Sequence, residues 1–330
     1  MTGNNVNFSA SVVKYSAKRK KAGKTGEKTA VFIIFLYGVQ LFRQAILSLP
    51  FPMGTVIFIK TIREQMNTIL KHTLSACTAA MFAIQAYGAN DPVDLVNPLC
   101  GSDSKFELST GNTYPATALP WGMNFWTPQT GTMGDGWIYT YNADKIRGFR
   151  QTHQPSPWMN DYGQFAIMPA TGEPAFDQDS RASWFSHKAE TAKPYYYKVY
   201  LADHDVTAEL TPTERAAFFR FTYPEEESSY VVIDAFDNGS YIKVIPSENK
   251  VVGYSTRNSG GVPDNFRNWF VIEFDKPFEF FHAVKDGEIL SGKDEAECGH
   301  AGAIVGFSTA RGETIHAKVA SSFISLGQAE

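Results

Sequence analysis

Cysteine is scarce: the 330 residues hold three, Cys77, Cys100 and Cys298. No Cys-x-x-Cys pair and no metal-site spacing occurs among them, which excludes a cysteine-built metal or dithiol site. If processing removes Cys77, two readings stand for the others: a Cys100–Cys298 disulfide in an oxidising compartment, or two separate buried thiols. Basic charge is short where a nucleic-acid partner would need it. Of the 30 Lys and Arg, 11 precede Asn90, against 2 of the 34 Asp and Glu, which leaves the remainder at a net charge of −13. Such an acidic body argues against nucleic acid, whose phosphates require a basic face. A neutral sugar or a divalent cation is compatible with it. Long apolar runs are missing as well. A spanning helix needs roughly 20 apolar residues, and the run from Ala30 to Phe42 is cut short by Arg43, Pro50 and Pro52. What the chain does have is apolar bulk, 43% hydrophobic and 14% aromatic, enough for one large domain or two modest ones.

The first ninety residues read as two stacked N-termini. Residues 10–28 are polar and basic, with Lys14, Lys18, Arg19, Lys20, Lys21, Lys24 and Lys28. Met66 then opens a better-formed export signal. Lys71 and His72 give a polar start, Thr73 to Ala86 a mildly apolar core, and Ala86-Tyr87-Gly88-Ala89 the small residues of a cleavage site. Residues 1–65 are therefore expected to be a non-native or disordered extension with a short apolar segment, and 66–89 a signal peptide. A lipoprotein-type site at Cys77 is the minority alternative, because hardly any apolar core precedes it.

From Tyr195 onward short strands dominate, separated by turn residues. The expected strands are Tyr195–Leu201, Val206–Leu210, Ala216–Tyr223, Tyr230–Asp234, Tyr241–Ile245, Val251–Ser255, Trp269–Phe274, Phe278–Val284, Ala303–Phe307 and Thr314–Val319. Arg220 and Thr222 fall between aromatics, which fits a sheet with one solvated face. No convincing amphipathic helix intervenes between Asn90 and Val319. Many strands without helical crossovers predict a mainly β chain: a large antiparallel β-sandwich over 90–319, with a helical or disordered N-terminal extension. Ser325 and Gln328 resemble a capping box that opens a helix, so residues 320–330 read as the start of a linker.

The chemistry concentrates between Cys100 and Pro169, a stretch dense in Gly, Pro, Trp, His and amides. Loops of this composition usually carry recognition rather than packing. Flat aromatic faces beside amide, carboxylate and imidazole groups suit a sugar, which has apolar C–H faces and a rim of hydroxyls.

Several spaced motifs in order give that stretch a family resemblance. They are Val96-Asn97-Pro98, Gly111-Asn112-Thr113-Tyr114-Pro115, Leu119-Pro120-Trp121-Gly122-Met123 and Ile146-Arg147-Gly148-Phe149. Thr152-His153, Asn160-Asp161-Tyr162-Gly163 and Ser322-Phe323-Ile324-Ser325 complete the set. Together they resemble the N-terminal β-sandwich domain of glycoside hydrolase family 92, calcium-dependent, inverting exo-α-mannosidases of bacterial glycan degradation. The resemblance implies a second, C-terminal (α/α) toroid lobe that supplies the general acid, the general base and most calcium ligands. This chain resembles the sandwich alone, ending at the linker before that lobe. It further implies a mannose-containing glycan as substrate and export to the periplasm, cell surface or medium of a bacterium.

Six residues are the expected sugar contacts: Asn112, Thr113, Trp137, His153, Trp158 and Asp161. Each has an ordinary alternative. Asn112 and Thr113 suit a turn, Trp137 and Trp158 suit loops sealed onto the sandwich, and His153 with Asp161 suits a local hydrogen-bond network. Trp121 and Met123 read as core. No acid–base pair stands out, since Asp103, Asp135, Asp144 and Asp161 are candidates by composition only. Many family members carry a Trp-x-Cys-like segment and a Ser-Gly pair where this chain has Gly134-Asp135-Gly136-Trp137 and Gln154-Pro155-Ser156-Pro157-Trp158, so linkage preference does not carry over. The leading expectation is a site-completing lobe that is inactive alone. A stand-alone sugar-binding sandwich and a membrane-tethered structural protein using residues 30–59 are the alternatives.

Overall fold

The structure, a computed structural model, describes residues 67–68, 71–72, 91–103, 113–133, 138–153 and 161–330. The chain divides into two compact units, Met1–Gly88 and Ala89–Glu330. In the first, residues 67–68 and 71–72 are helical. The expected extension over 1–65, and the expected leader apart from those four positions, lie outside the described residues.

Among the described residues of the second unit, most of the regular structure is strand. Its first half holds β1 (Phe125–Gln129), β2 (Lys145–Ile146), β3 (Gly148–Thr152), β4 (Phe165–Thr171), β5 (Ser183–Trp184) and β6 (Thr191–Lys193). Next come β7 (Tyr196–Leu201), β8 (Val206–Pro212), β9 (Ala216–Thr222), β10 (Glu226–Asp234), β11 (Ser240–Ile245) and β12 (Lys250–Ser255). The last are β13 (Asn268–Phe274), β14 (Phe280–Lys285), β15 (Glu288–Ser291), β16 (Glu295–Cys298), β17 (Ala301–Thr309) and β18 (Thr314–Ser322). One sheet runs β1-β3-β4-β10-β17-β14-β15 and a second runs β16-β11-β12-β13-β18-β9-β8-β7-β6, with β2 and β5 as a small separate pair. All of these pairings are antiparallel, so the expected antiparallel sandwich is what forms.

Period-two patterning sets which face is buried. On β9, Ala217, Phe219 and Phe221 turn inward while Phe218 and Arg220 face solvent. The inward rings interlock across the sheets. Trp126 of β1 meets Phe219 of β9 edge-on at 5.0 Å, and Phe165 of β4 stacks on Phe270 of β13 at 4.3 Å. Phe274 of β13 packs at 5.7 Å from Phe307 of β17, which continues the seam. Strand β17 is buried along nearly its whole length. Gly306 belongs there because a Cβ would lie 2.0 Å from the Phe280 ring, which crosses the strand.

The ten strands expected after Tyr195 all form, shifted by a few residues at their ends. Strands β15 and β16 were not expected. Both are four-residue edge segments whose apolar pattern is too short to read. The capping signal at the chain's end also forms: Ser325 Oγ accepts from the Gln328 N–H at 3.2 Å and starts α1 (Leu326–Ala329). Leu326 and Ala329 of that turn pack on Val252 and Val271, on the outer face of the nine-stranded sheet. Cys100 and Cys298 are both free. Neither expectation for the pair holds, because Cys100 is exposed on a turn and Cys298 ends the half-buried edge of β16.

A buried ion cluster ties the irregular 176–181 segment to the seven-stranded sheet. Arg181 NH2 donates to Asp234 Oδ2 at 2.7 Å, both side chains being almost fully buried, and His300 Nε2 lies 2.7 Å from Asp234 Oδ1. Burial alone would raise the Asp234 pKa, but Arg181 and His300 reverse it and hold the carboxyl far below the usual carboxylate range. Burial alone would lower the His300 pKa, but the Asp234 hydrogen bond and charge outweigh it and leave it raised.

Two predictions follow from this architecture, one of packing and one of charge. Phe219→Ala is expected to cost about 3–5 kcal/mol and its neighbour Phe218→Ala under about 1 kcal/mol, read as urea midpoints of the chain. The raised His300 pKa contributes stability below the ordinary imidazole value of about 6.5, and that contribution is lost as pH rises through the folded value. The depressed Asp234 pKa contributes above about 3.9 and is lost as pH falls through its folded value. Unfolding midpoints should thus decline as pH rises above about 6.5, and His300→Gln should flatten that limb. An unchanged slope over that limb in the variant contradicts the assignment.

Candidate functional site

The loops bearing the sequence motifs gather at one end of the sandwich. Thr152, the last residue of β3, pairs with Phe125 at the start of β1, and Ser322, the last of β18, pairs with Trp269 near the start of β13. Asn268 joins the two sheets at this end. Its Nδ2 donates to the Gly163 carbonyl at 2.7 Å and to Gln151 Oε1 at 2.9 Å. Gly163 has φ +61, and a Cβ there would lie 2.3 Å from Asn268 Cβ, so no other residue fits the knot without rearrangement.

His153 and Asp161 come together beside that knot. The His153 N–H donates to Asp161 Oδ2 at 2.7 Å, the Tyr162 N–H donates to Asp161 Oδ1 at 2.8 Å, and His153 Nδ1 stands 3.6 Å from Asp161 Oδ1. Asp161 therefore closes the loop between the two residues by accepting two backbone donors. The His153 ring is different: its side chain is 10% exposed, it packs against Phe323 at 4.9 Å, and neither ring nitrogen has a hydrogen bond. Gln151 Nε2, Asn268 Oδ1 and Asn124 Oδ1 are likewise buried without partners. Each such group costs about 1–3 kcal/mol of desolvation. Tyr114 reaches the same place, its hydroxyl 2.6 Å from Thr152 Oγ1, and burial pushes its phenol above the ordinary value.

Apolar side chains stand exposed at this polar end. Trp121 is 101% exposed, not core as the sequence suggested. It occupies the third position of the Leu119–Gly122 turn, closed by the Gly122 N–H donating to the Leu119 carbonyl at 3.1 Å, with φ 65. Proline at the second position prefers this turn, which needs positive φ at the third; Pro120 before Trp121 was the overlooked signal. Met123 is half-buried rather than core, its N–H donating to the Glu214 carbonyl at 2.7 Å. Phe323 and Ile324 are exposed too, Ile324 by 75%.

The remaining expected contacts are not brought together. The Thr113 hydroxyl donates to the Cys100 carbonyl at 3.0 Å and so tethers a turn. Asn112, Trp137 and Trp158, with Asp135, lie outside the described residues. Asp103 and Asp144 are exposed. No group of three or more His, Cys, Asp and Glu side chains able to hold a metal occurs among the described residues. Both Asp161 oxygens are committed to backbone donors, whereas calcium takes roughly 6–8 oxygen ligands, so these residues do not fit a calcium ion on their own. No helix among the described residues is long and apolar enough to cross a membrane.

Fold and site together define a large antiparallel β-sandwich module whose loop end is polar beneath and aromatic at its rim. Residues 95–322 match the glycosyl hydrolase family 92 N-terminal domain, and the chain belongs to that family. An inverting mannosidase of the family from Bacteroides thetaiotaomicron VPI-5482 is 47% identical, with a TM-score of 0.70, over 72% of this chain and 32% of that one. A family α-mannosidase from Bacteroides thetaiotaomicron is 29% identical, with a TM-score of 0.62, over 72% and 34%. The chain thus spans about a third of the length of these solved relatives. Comparison with curated proteins gives no match.

The site separates a structural carboxylate from an uncommitted imidazole. Asp161→Ala should lower stability by about 1–3 kcal/mol, because two backbone donors lose their acceptor, while His153→Gln should cost under about 1 kcal/mol. Denaturant midpoints of both variants check this; a larger loss from the histidine change reverses the roles.

Proposed function

We propose that the chain is the carbohydrate-facing, site-completing lobe of an exported α-mannosidase acting on mannose-containing glycans, and that it turns over no substrate alone. The observation that carries this reading is the loop end of the sandwich. Buried polar atoms of His153, Gln151, Asn268 and Asn124 there have no hydrogen-bond partner, while Trp121, Phe323 and Ile324 stand exposed around them. A free-standing domain has reason to cover such apolar groups and to satisfy such polar ones. A surface that meets a second lobe and a sugar keeps them available. The matched relatives are mannosidases of which this chain covers about a third, and one was solved with mannoimidazole.

Inverting hydrolysis needs an acid at the leaving oxygen and a base that activates water on the opposite face. On this reading both belong to the part of the relatives without a counterpart in this sequence, and so does calcium, on which the family depends. The sandwich would orient the sugar and exclude water. Export rests on the Met66–Ala89 leader.

The purified chain is expected to hydrolyse no aryl α-mannoside, with or without added calcium. Turnover by the chain that disappears in a single point variant such as Asp161→Asn contradicts the proposal.

A further inference from the structure

A second place on the sandwich has the makings of a sugar subsite. Asn97, Leu99, Gly101, Asp103 and Tyr141 line an open cavity of about 500 Å³, within the range of roughly 300–1,000 Å³ that small ligands occupy. Tyr141 is 37% exposed there, yet it is not a loose side chain. His187 stacks on one face of its ring, with centroids 3.9 Å apart and planes 1° apart. His187 Nε2 also donates to the Tyr141 carbonyl at 2.7 Å.

The clamp is anchored deep in the domain. His187 Nδ1 is 2.5 Å from Glu190 Oε2, and the Glu190 side chain is fully buried. Tyr197 of β7 donates to Glu190 Oε1 at 2.6 Å, and Tyr139 donates to it at 3.2 Å. Burial, and after it the Glu190 charge, push both phenols above their ordinary value, which keeps them as donors. The opposite wall is tied to the same loop, since the Tyr141 N–H donates to the Ser102 carbonyl at 3.0 Å.

With one face covered by His187, the opposite face of Tyr141 and its hydroxyl are left to meet a ligand. Around it stand an acceptor and a donor. Asp103 brings a carboxylate, fixed by the Asn142 amide, and Asn97 keeps its Nδ2 for a ligand because its Oδ1 already accepts from the Leu99 N–H at 3.1 Å. A pinned aromatic face flanked by one acceptor and one donor matches a pyranose, whose C–H face stacks while adjacent hydroxyls accept and donate. Pinning removes the ordering cost that a mobile tyrosine would pay on binding.

We infer that Tyr141, Asn97 and Asp103 form a pyranose subsite, with Tyr141 as its stacking platform and His187 as the residue that positions it. The inference rests on the carbohydrate-facing reading above. Its test is saturation-transfer difference NMR of the full chain with methyl α-mannopyranoside. Transfer to the ring C–H protons is expected, weakened about three- to tenfold by Tyr141→Ala, kept by Tyr141→Phe, and weakened by Asp103→Asn. His187→Gln should weaken it in the wild-type chain and add nothing to the loss already caused by Tyr141→Ala, since it acts on the ligand through that ring. Wild-type transfer in both Tyr141→Ala and Asp103→Asn overturns the subsite and leaves the carbohydrate-facing reading standing. Absence of transfer from the wild-type chain to any pyranoside also overturns the subsite and leaves the lobe reading standing, since turnover by the chain alone tests that reading separately.

Discussion

Asn268 is the residue on which the geometry of the loop end depends. It opens β13 in one sheet, and its amide holds Gly163, just before β4, and Gln151, the next-to-last residue of β3, in the other. Two hydrogen bonds are worth only about 0.5–1.5 kcal/mol each in net stability. Their effect is positional. With Gly163 pressed against Asn268, the segment after Asp161 has one path, and Asp161 then fixes His153 through the backbone. The His153 ring and the Phe323 ring beside it are placed by the same constraint.

That constraint also explains how far the sequence could be read. Period-two strands such as Ala216–Thr222 announce themselves because one face packs on a sheet and the other meets water. The first strands do not. Strand β3 is buried at every position, and β4 at all but its last, so no alternation marks them. The antiparallel sandwich was legible; the strand order, which places β1 and β3 beside β4 and β10, was not.

Site residues were legible by type more than by role. His153 and Asp161 do meet, but the structure divides them into a loop-closing carboxylate and an uncommitted imidazole. Asn268 and Gln151 gave no local signal, because their importance arises from a contact 117 residues apart in sequence. Trp121 misled for a physical reason. An aromatic amid Leu, Pro and Met reads as core by hydrophobicity, whereas the turn chemistry of Pro120 decides its direction. Glu190 and His187 were silent for the same cause as Asn268: their partners Tyr139, Tyr141 and Tyr197 converge only in the fold.

The central claim is that the end bearing Trp121, His153 and Phe323 faces a second lobe. Hydrogen–deuterium exchange of this chain, mixed with the separately produced C-terminal two-thirds of the 47%-identical relative, tests it most directly. The account predicts slowed exchange at 119–124, 161–164 and 321–324, accompanied by mannoside turnover in the mixture. Unchanged exchange at those segments, with protection on the outer face of the nine-stranded sheet instead, would contradict it.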